Sequence, residues 1–437
     1  MRSTITLDTL HDVLQAAFGW ADEHLHRFAL GGGAWDRESQ LFLCAYDVDN
    51  DDLVDGDDDE GIPDRDVRVD EVFADPGDVL RYVYDYGDAW QLILRLEAII
   101  PAPDAATSQP PIAHCVDGRR AAPPENSRGL DAEMLATFQP DPAHFSASEV
   151  DGALGDVRFR MRDAGVPGEV IDLIERVRYD FDATPADQGT PVTDRLVEAA
   201  AHALATLEPA VADDDRDACL AAWTWFLQRA GGEGIPLTAA GYLKPADVVD
   251  ALQILPTSDA WLSKSNREID HSSLLHFRES LARQGFLRKL KGHLLLTRIG
   301  AAARKNPDRL WQALIDRWRG VVTGTHVVNA RAGSTDAAYL RDATVCVLLS
   351  VAAGESFTAT WGNQPQGGLG HAARWMSRLG WRRERQPLRG SDFYSLPIRT
   401  VLENLWDGPR ERSDKGEMSA TARRFAREVL RNPRMVE

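Results

Sequence analysis

A hairpin pattern in the N-terminal third of the chain constrains the fold most. Residues 80–84 and 90–96 alternate apolar and polar side chains, the period of two that is typical of half-buried strands. Between them Gly87 lies among aspartates, and this combination favours a tight turn because glycine tolerates positive φ. The segment therefore predicts two antiparallel strands joined by a short turn that is rich in acidic and aromatic side chains.

An amphipathic helix and a short strand precede this hairpin. Apolar residues at helical spacing between Leu10 and Phe18 predict a helix that ends at Gly19. The next alternation predicts a strand with His24 and His26 on one face. A helix and several strands in close succession favour a compact α+β domain.

Four ordered motifs in the first 130 residues carry a family resemblance. They are Leu10-His11 with Phe18-Gly19-Trp20, HLHRF at residues 24–28, YDYGDAW at residues 84–90, and Cys-x-x-Gly-Arg-Arg-Ala-x-Pro-Pro-Glu at residues 115–125. In this order and spacing they resemble the plasmid pRiA4b ORF-three-like family, a bacterial and archaeal group often found near mobile elements. The resemblance implies a compact α+β domain and an association with mobile elements, but no particular activity.

The remaining two thirds of the chain are predicted to be mostly helical. Two helices followed by a hairpin that turns at Lys291-Gly292 have the order of a winged helix, and a similar pattern with a turn at Arg389-Gly390 predicts a second copy. The fold class is thus α+β, a mixed α/β-sheet domain followed by a helical region with one or two winged-helix-like units. The predicted parts are an N-terminal domain at 1–140, a helical linker region at 141–230, winged-helix-like units at 231–325 and 326–408, and a basic helical tail at 409–437.

Charge is distributed very unevenly along the chain. The formal net charge is −19, yet residues 1–150 hold 31 acidic and 10 basic side chains, whereas residues 261–437 hold 17 acidic and 30 basic ones. An acidic region repels nucleic acid and a basic region attracts it. The gradient predicts different partners for the two ends, namely double-stranded DNA or a nucleoprotein complex for the C-terminal half and a protein for the N-terminal domain.

Several classes of protein are disfavoured by the sequence. The phosphate-binding loop, the His-Glu-x-x-His zinc motif and the Gly-x-Ser-x-Gly nucleophile motif are all absent, so we lean against an enzyme and expect no cofactor. No run of apolar residues is long enough for a membrane helix, which argues against a membrane partner. The four cysteines form no close pair, as expected in the cytoplasm: Cys44, Cys115, Cys219 and Cys346.

The hairpin and its neighbours supply candidate ligand-binding residues in the first domain. Aromatic faces beside carboxylates could hold a cation or a basic peptide, although the same residues could equally form the turn and cover the sheet. The candidates are His24, His26, Tyr84, Asp85, Asp88, Trp90 and Glu125. We assign no metal ligands, because two histidines on one strand face do not by themselves make a site.

An acidic run from Asp47 to Glu60 raises the question of calcium. An EF-hand loop needs a glycine at its sixth position, and neither register of this run supplies both that glycine and the required acidic residues. We therefore expect a solvated loop.

The basic C-terminal half supplies candidate DNA contacts. Arginine and lysine attract phosphates without regard to sequence, and side chains of a recognition helix read base edges. The candidates on the second helix of the first winged-helix-like unit and around it are Arg267, Ser272, Ser273, His276, Arg278, Arg283, Lys289 and Lys291.

The function favoured by these patterns is that of a non-enzymatic binding protein. Its basic half would contact DNA or a nucleoprotein complex, and its acidic domain would bind a protein or a small ligand. Two alternatives stay open at this stage. One is an interaction scaffold with no role in nucleic-acid binding, and the other is a metal-dependent hydrolase that uses the strand of His24 and His26.

Overall fold

The computed structural model describes residues 1–36, 38–49, 61–101, 111–139, 141–180, 192–206, 213–257, 264–326, 335–357, 367–406 and 416–431. The chain divides into two compact units, Met1–Asp163 and Ala164–Glu437. The predicted α+β class is confirmed, since a sheet-containing first unit precedes a mostly helical second unit. No described helix is both long and apolar enough to cross a membrane. Most of the acidic run at 47–60 lies outside the described residues.

The first unit contains one five-stranded sheet and six helices among its described residues. In chain order they are α1 (Leu7–Phe18), β1 (His26–Leu30), β2 (Gln40–Leu43), α2 (Ala45–Asp49), β3 (Gly61–Pro63), α3 (Val69–Val72), β4 (Val79–Tyr84), β5 (Trp90–Arg95), α4 (Ala132–Phe138), α5 (Ala147–Leu154) and α6 (Val157–Asp163).

The hairpin that constrains the sequence forms as predicted. β4 pairs antiparallel with β5, which places Tyr84 opposite Trp90 and Tyr82 opposite Leu92. The sheet has the order β3-β2-β1-β4-β5, and its β2–β3 pair is parallel. β1 begins at His26, two residues later than the alternation suggested, and lies beside β4 at the centre of the sheet.

The two faces of the sheet belong to different hydrophobic clusters. On one face α1 brings Leu10 against Phe28 and Tyr82. On the other face Ala29 and Val83 join a smaller cluster. Because successive side chains of a strand point to opposite faces, the neighbours Tyr82 and Val83 contribute to different cores.

The first unit extends past the predicted boundary at residue 140. Its last helix, α6, is tied to α1 by ion pairs, in which Arg162 Nε lies 2.5 Å from Asp12 Oδ2 and Arg162 Nη1 lies 2.8 Å from Asp8 Oδ2. The end of α1 is where the sequence predicts it, at Gly19, whose φ is +68°.

The second unit is built mainly from helices. In chain order its elements are α7 (Gly168–Arg178), β6 (Tyr179–Asp180), β7 (Val192–Thr193), α8 (Arg195–Ala205), α9 (Asp213–Cys219), α10 (Ala221–Arg229), β8 (Ile235–Pro236), α11 (Pro245–Ile254), α12 (Ser272–Arg283), β9 (Leu287–Leu290), β10 (His293–Leu296), α13 (Arg298–Ala303), α14 (Pro307–Val322), α15 (Thr335–Ala352), α16 (Gly367–Arg378), β11 (Arg382–Arg383), β12 (Gln386–Pro387), α17 (Pro397–Asn404) and α18 (Ala420–Leu430).

A helix–helix–hairpin segment occurs where the sequence places it. α11 and α12 precede the β9–β10 hairpin, and β10 also pairs with β8 to complete a three-stranded sheet. The hairpin turns at Lys291 and Gly292, whose φ angles are +46° and +74°. Two successive positive φ angles are typical of the turn that best fits the twist of a hairpin. The element order is as expected, and the assignment of a winged helix stays a prediction.

The second predicted wing turns at a different place. Arg382 pairs with Pro387, so the chain reverses at Glu384-Arg385 and not at Arg389-Gly390. Glu384 and Arg385 adopt positive φ angles of +49° and +67° although neither is glycine. The predicted turn is therefore wrong, because the glycine rule overlooks charged residues that adopt the left-handed conformation.

The predicted basic tail contains a helix that packs into the second unit. α18 lies against α14 and α15, and Phe425, Ala426 and Val429 are fully buried. Arg431 Nε donates to the carbonyl oxygen of Leu204 at 2.9 Å, which satisfies a backbone group at the C-terminal end of α8. These contacts place α18 in the core of the second unit.

Candidate functional site

Glu125 joins three segments of the first unit. Its Oε2 accepts a hydrogen bond from the Ala21 amide at 2.7 Å, and its Oε1 accepts one from the Glu23 amide at 3.3 Å. The buried Tyr84 hydroxyl also donates to Oε1. Burial and the Glu125 carboxylate raise the pKa of Tyr84, so its hydroxyl keeps its proton. The carboxylate therefore holds the segment after α1 against the hairpin.

The same segment is fixed a second time by an aromatic side chain. Trp20 donates from Nε1 to the carbonyl oxygen of Pro123 at 2.8 Å, and its ring stacks on Tyr84 with centroids 5.0 Å apart. Residues from three of the recognised sequence motifs thus meet at one place.

We expect the substitution Glu125→Gln to destabilise the first unit by roughly 1–3 kcal/mol, because an N–H group replaces one of the two acceptor oxygens and at least one of the three donors loses its acceptor. Urea unfolding of the full-length chain measures this effect. The matched control is Glu133→Gln on the exposed surface of α4. Equal stability of both variants would show that the three hydrogen bonds of Glu125 contribute nothing to the stability of the first unit.

The two candidate histidines have separate partners. His24 Nε2 lies 2.8 Å from Asn126 Oδ1 and 3.6 Å from Asp85 Oδ2. His26 is buried, and its Nε2 lies 2.8 Å from Asp64 Oδ2. The two imidazoles therefore serve different hydrogen bonds and do not converge on one point, which leaves the hydrolase alternative without the shared site it requires.

The acidic residues of the hairpin turn bond to backbone groups. Asp85 Oδ1 accepts from the Gly87 amide at 3.0 Å and from the Asp88 amide at 3.2 Å. Asp88 Oδ2 accepts from the Arg128 amide at 3.0 Å. The Arg128 guanidinium also lies 5.9 Å from the ring of Trp90. These side chains stabilise the turn through hydrogen bonds to the backbone. Their role as ligand contacts stays a prediction.

A buried polar network behind the sheet was missed by the sequence analysis. His11 Nδ1 lies 2.8 Å from the Tyr82 hydroxyl and His11 Nε2 lies 2.8 Å from Asp22 Oδ1. The His11 ring stacks on His26, with centroids 3.5 Å apart. Burial and the neighbouring His11 lower the pKa of His26. A signal was present in the sequence, since His11 and Gln15 are polar residues one turn apart on an otherwise apolar helix face.

The second candidate site is the exposed face of α12. Ser272, His276 and Glu279 are exposed along it, and Arg283 is half-buried near its C-terminal end. Ser273, the next predicted contact, is half-buried beside this face. The accessible face thus carries short polar side chains and charges of both signs.

Arg278 faces the interior of the unit. Its Nε donates to Glu268 Oε1 at 2.5 Å, and Glu268 is 1% exposed. Glu268 Oε2 accepts from the Leu243 amide at 2.7 Å, just before α11. Glu268 therefore links α12 to the backbone just before α11. Removal of one member of such a buried pair is costly. The burial does not support the predicted contact of Arg278 with DNA.

The strongest positive charge around α12 lies on the β9–β10 hairpin and on the loop that precedes α12. Arg288, Lys289 and Lys291 are exposed on the β9–β10 hairpin. The Arg267 side chain is 71% exposed, with its Nε 3.7 Å from Asp270 Oδ2. Residues 264–305 together hold ten basic and three acidic side chains, a net charge of +7 in a chain whose net charge is −19.

Comparison with known proteins concerns the first unit. Residues 1–164 match the family model of the plasmid pRiA4b ORF-3-like protein. The match ends within one residue of the boundary of the first unit, so the predicted resemblance of the N-terminal domain is confirmed. The uncharacterized protein y4hQ of Sinorhizobium fredii (strain NBRC 101917 / NGR234) is 29% identical over 147 residues, which are 32% of this chain and 63% of that protein.

The chain also has a partial match among solved structures. A crystal structure of a protein of unknown function from Methanosarcina mazei Go1 aligns with 24% identity over 34% of this chain and 85% of that chain, with a TM-score of 0.25. The chain spans about 63% of the length of the curated relative that it matches. The family match thus relates the first unit to an uncharacterised family.

Proposed function

We propose that this protein is a non-enzymatic binding protein that contacts duplex DNA through α12 and the β9–β10 hairpin. The observation that carries the proposal is the net charge of +7 over residues 264–305, in a chain that is otherwise strongly acidic. Positive charge on a helix–helix–hairpin segment suits the phosphate backbone.

The arrangement of α12 supports this assignment. The buried pair of Arg278 and Glu268 holds one side of the helix, so that Ser272, His276 and Glu279 stay on the accessible side. Short polar side chains hydrogen-bond either to phosphates or to base edges, and a carboxylate accepts from the amino group of cytosine. In this proposal the hairpin lysines supply affinity, and the α12 face contacts the groove.

We expect the full-length protein to bind a random duplex with an affinity that falls steeply with salt. About four phosphate contacts would give a slope of roughly −3.6 in a plot of log affinity against log salt, because each contact contributes about −0.9. Fluorescence anisotropy with a labelled duplex between 50 and 300 mM salt measures this slope. Absence of binding at the lowest salt would contradict the proposal.

A role for the first unit in binding a protein partner has separate support. Ile93, Ile99 and Ile100 are 60%, 62% and 85% exposed on and just after the edge strand β5. Exposed apolar residues on and beside an edge strand are typical of sites that add a strand from a partner. In this proposal the acidic first unit recruits a basic protein segment while the second unit contacts DNA.

A further inference from the structure

We propose that His11, Asp12 and Asp22 form a binding site for one divalent transition metal ion, with Zn²⁺ as the best-matched ion. Among the described residues these three bring one nitrogen and two carboxylate oxygens within 4.8 Å of one another. Zinc binds imidazole nitrogen and carboxylate oxygen, and three protein ligands are a common set when a further position is left to water.

The three ligands come from two parts of the chain, α1 and the segment that follows it. His11 and Asp12 are neighbours in the middle of α1, and both are buried. Asp22 lies after the end of that helix with a φ of +59°, and 44% of its side chain is exposed. The site is therefore closed on the side of the sheet and open on the side of Asp22, where a water molecule or a substrate atom has access.

Asp12 and His11 both have supporting contacts. Asp12 is oriented by two arginines of α6, with Arg162 Nε at 2.5 Å and Arg158 Nη2 at 3.2 Å. Asp22 itself lies close to His11, with its Oδ1 2.8 Å from Nε2. Supporting contacts of this kind are usual around bound metals because they fix the ligand orientation.

The contact of the other ring nitrogen of His11, Nδ1, supports the same conclusion. A metal-bound imidazole donates its second N–H to a fixed acceptor, and Tyr82 provides one with its hydroxyl oxygen 2.8 Å from Nδ1. When Nδ1 donates to this oxygen, the proton of the Tyr82 hydroxyl needs an acceptor of its own. The lone pair of His11 Nε2 is left to face Asp22.

Gln15 is the buried amide side chain that lies beside the Tyr82 hydroxyl. Its side chain is 1% exposed, its Nε2 lies 3.0 Å from the Tyr82 hydroxyl, and its Oε1 has no hydrogen-bond partner among the described residues. A turn of the amide by 180° exchanges its oxygen and nitrogen and lets Oε1 accept from Tyr82. In that arrangement a lone pair of His11 Nε2 meets a carboxylate oxygen at 2.8 Å, and a cation between them removes the repulsion.

Zinc titration of the full-length protein by calorimetry, with metal analysis after dialysis, tests the site. We expect one zinc ion per chain in the wild type and in the control Asp75→Asn, which makes the same charge change at an exposed position. The variant Asp22→Asn preserves the backbone, because asparagine tolerates positive φ. It should weaken zinc binding by at least roughly 100-fold, which exceeds the 10–100-fold effect of losing a supporting contact.

Three further outcomes decide the proposal. Zinc should raise the unfolding temperature of the wild type and of Asp75→Asn but leave that of Asp22→Asn unchanged. His11→Gln, checked for folding by circular dichroism, should also lose the ion. If Asp22→Asn binds zinc as tightly as the wild type, the ion is held by acidic residues elsewhere and the proposal is wrong. A wild-type protein that binds no zinc overturns it as well.

Discussion

Charge reversal at two hairpin lysines, Lys289→Glu with Lys291→Glu, is expected to weaken binding to duplex DNA by roughly 60-fold at 0.1 M salt. Each phosphate contact adds about −0.9 to the salt slope, which is a factor of about 8 in affinity at that salt concentration. Loss of two contacts should therefore also make the slope shallower by about 1.8. Anisotropy titrations at several salt concentrations measure both quantities in one experiment.

The control for this prediction keeps the same change in net charge. Arg65→Glu with Arg195→Glu alters two exposed arginines outside residues 264–305 and should leave affinity and slope nearly unchanged. Glu279→Gln removes a negative charge from the exposed face of α12 and should strengthen non-specific binding, an effect that unfolding cannot produce. If the lysine pair and the arginine pair behave alike, the attraction comes from total charge and the proposed interface is wrong.

The substitution Asp194→Ala is expected to destabilise the second unit by about 3–5 kcal/mol, the range for breaking one side of a buried ion pair. Asp194 begins α8, where its carboxylate accepts from the Leu196 amide at 3.0 Å. It also accepts from Trp375 Nε1 at 3.1 Å and from Arg378 Nη1 at 2.9 Å. Truncation removes a helix cap, leaves a buried indole N–H without its acceptor and takes the carboxylate away from Arg378, which keeps its bond to the Val177 carbonyl oxygen. Chemical unfolding measured by circular dichroism reports the loss.

Asp131→Ala is a matched control for this prediction. Asp131 caps α4 in the same way, with its carboxylate accepting from the Glu133 amide at 3.0 Å and the Met134 amide at 2.9 Å, but it is exposed. Its truncation should cost about 1 kcal/mol, the usual value for a lost cap. Equal effects of the two substitutions would show that the contacts of Asp194 with α16 contribute nothing.

The pH dependence of Asp194 gives the same test a second measurement. Burial raises the pKa of Asp194, but the hydrogen bond from Trp375 and the charge of Arg378 outweigh it, and the pKa falls below its ordinary value of 3.8. A lowered pKa stabilises the folded state above pH 3.8, and this stabilisation is lost as the pH falls through the folded pKa. Between pH 5 and pH 3 the wild type should therefore lose more stability than Asp194→Asn.

Local features of the fold follow from the sequence. The period of two predicts β4 and β5, the apolar stripe with Gly19 predicts α1, and Lys291-Gly292 predicts the β9–β10 turn. Each depends on backbone geometry within a few residues, which the side chains report directly. The turn at Glu384-Arg385 escapes the same reasoning because its residues are not typical turn formers.

The candidate sites follow from the sequence only in part. The sequence identifies Glu125 and Tyr84 as motif residues but does not reveal that they bond to each other. It marks Arg278 as a basic residue of α12 but not as the buried partner of Glu268. It gives no reason to connect His11 with Asp22, because the two ligands meet only once the segment after α1 has turned back.

The sequence by itself determined the class of fold, the pRiA4b ORF-3-like N-terminal domain and the charge gradient, since these depend on residue order and composition alone. The tertiary structure decided which polar groups meet. Tyr84 and Glu125 are 41 residues apart, His11 and Tyr82 are 71 apart, and Asp194 and Arg378 are 184 apart. Such pairs form when separate elements pack around a common core, and a buried polar group must then find its partner wherever the chain brings one.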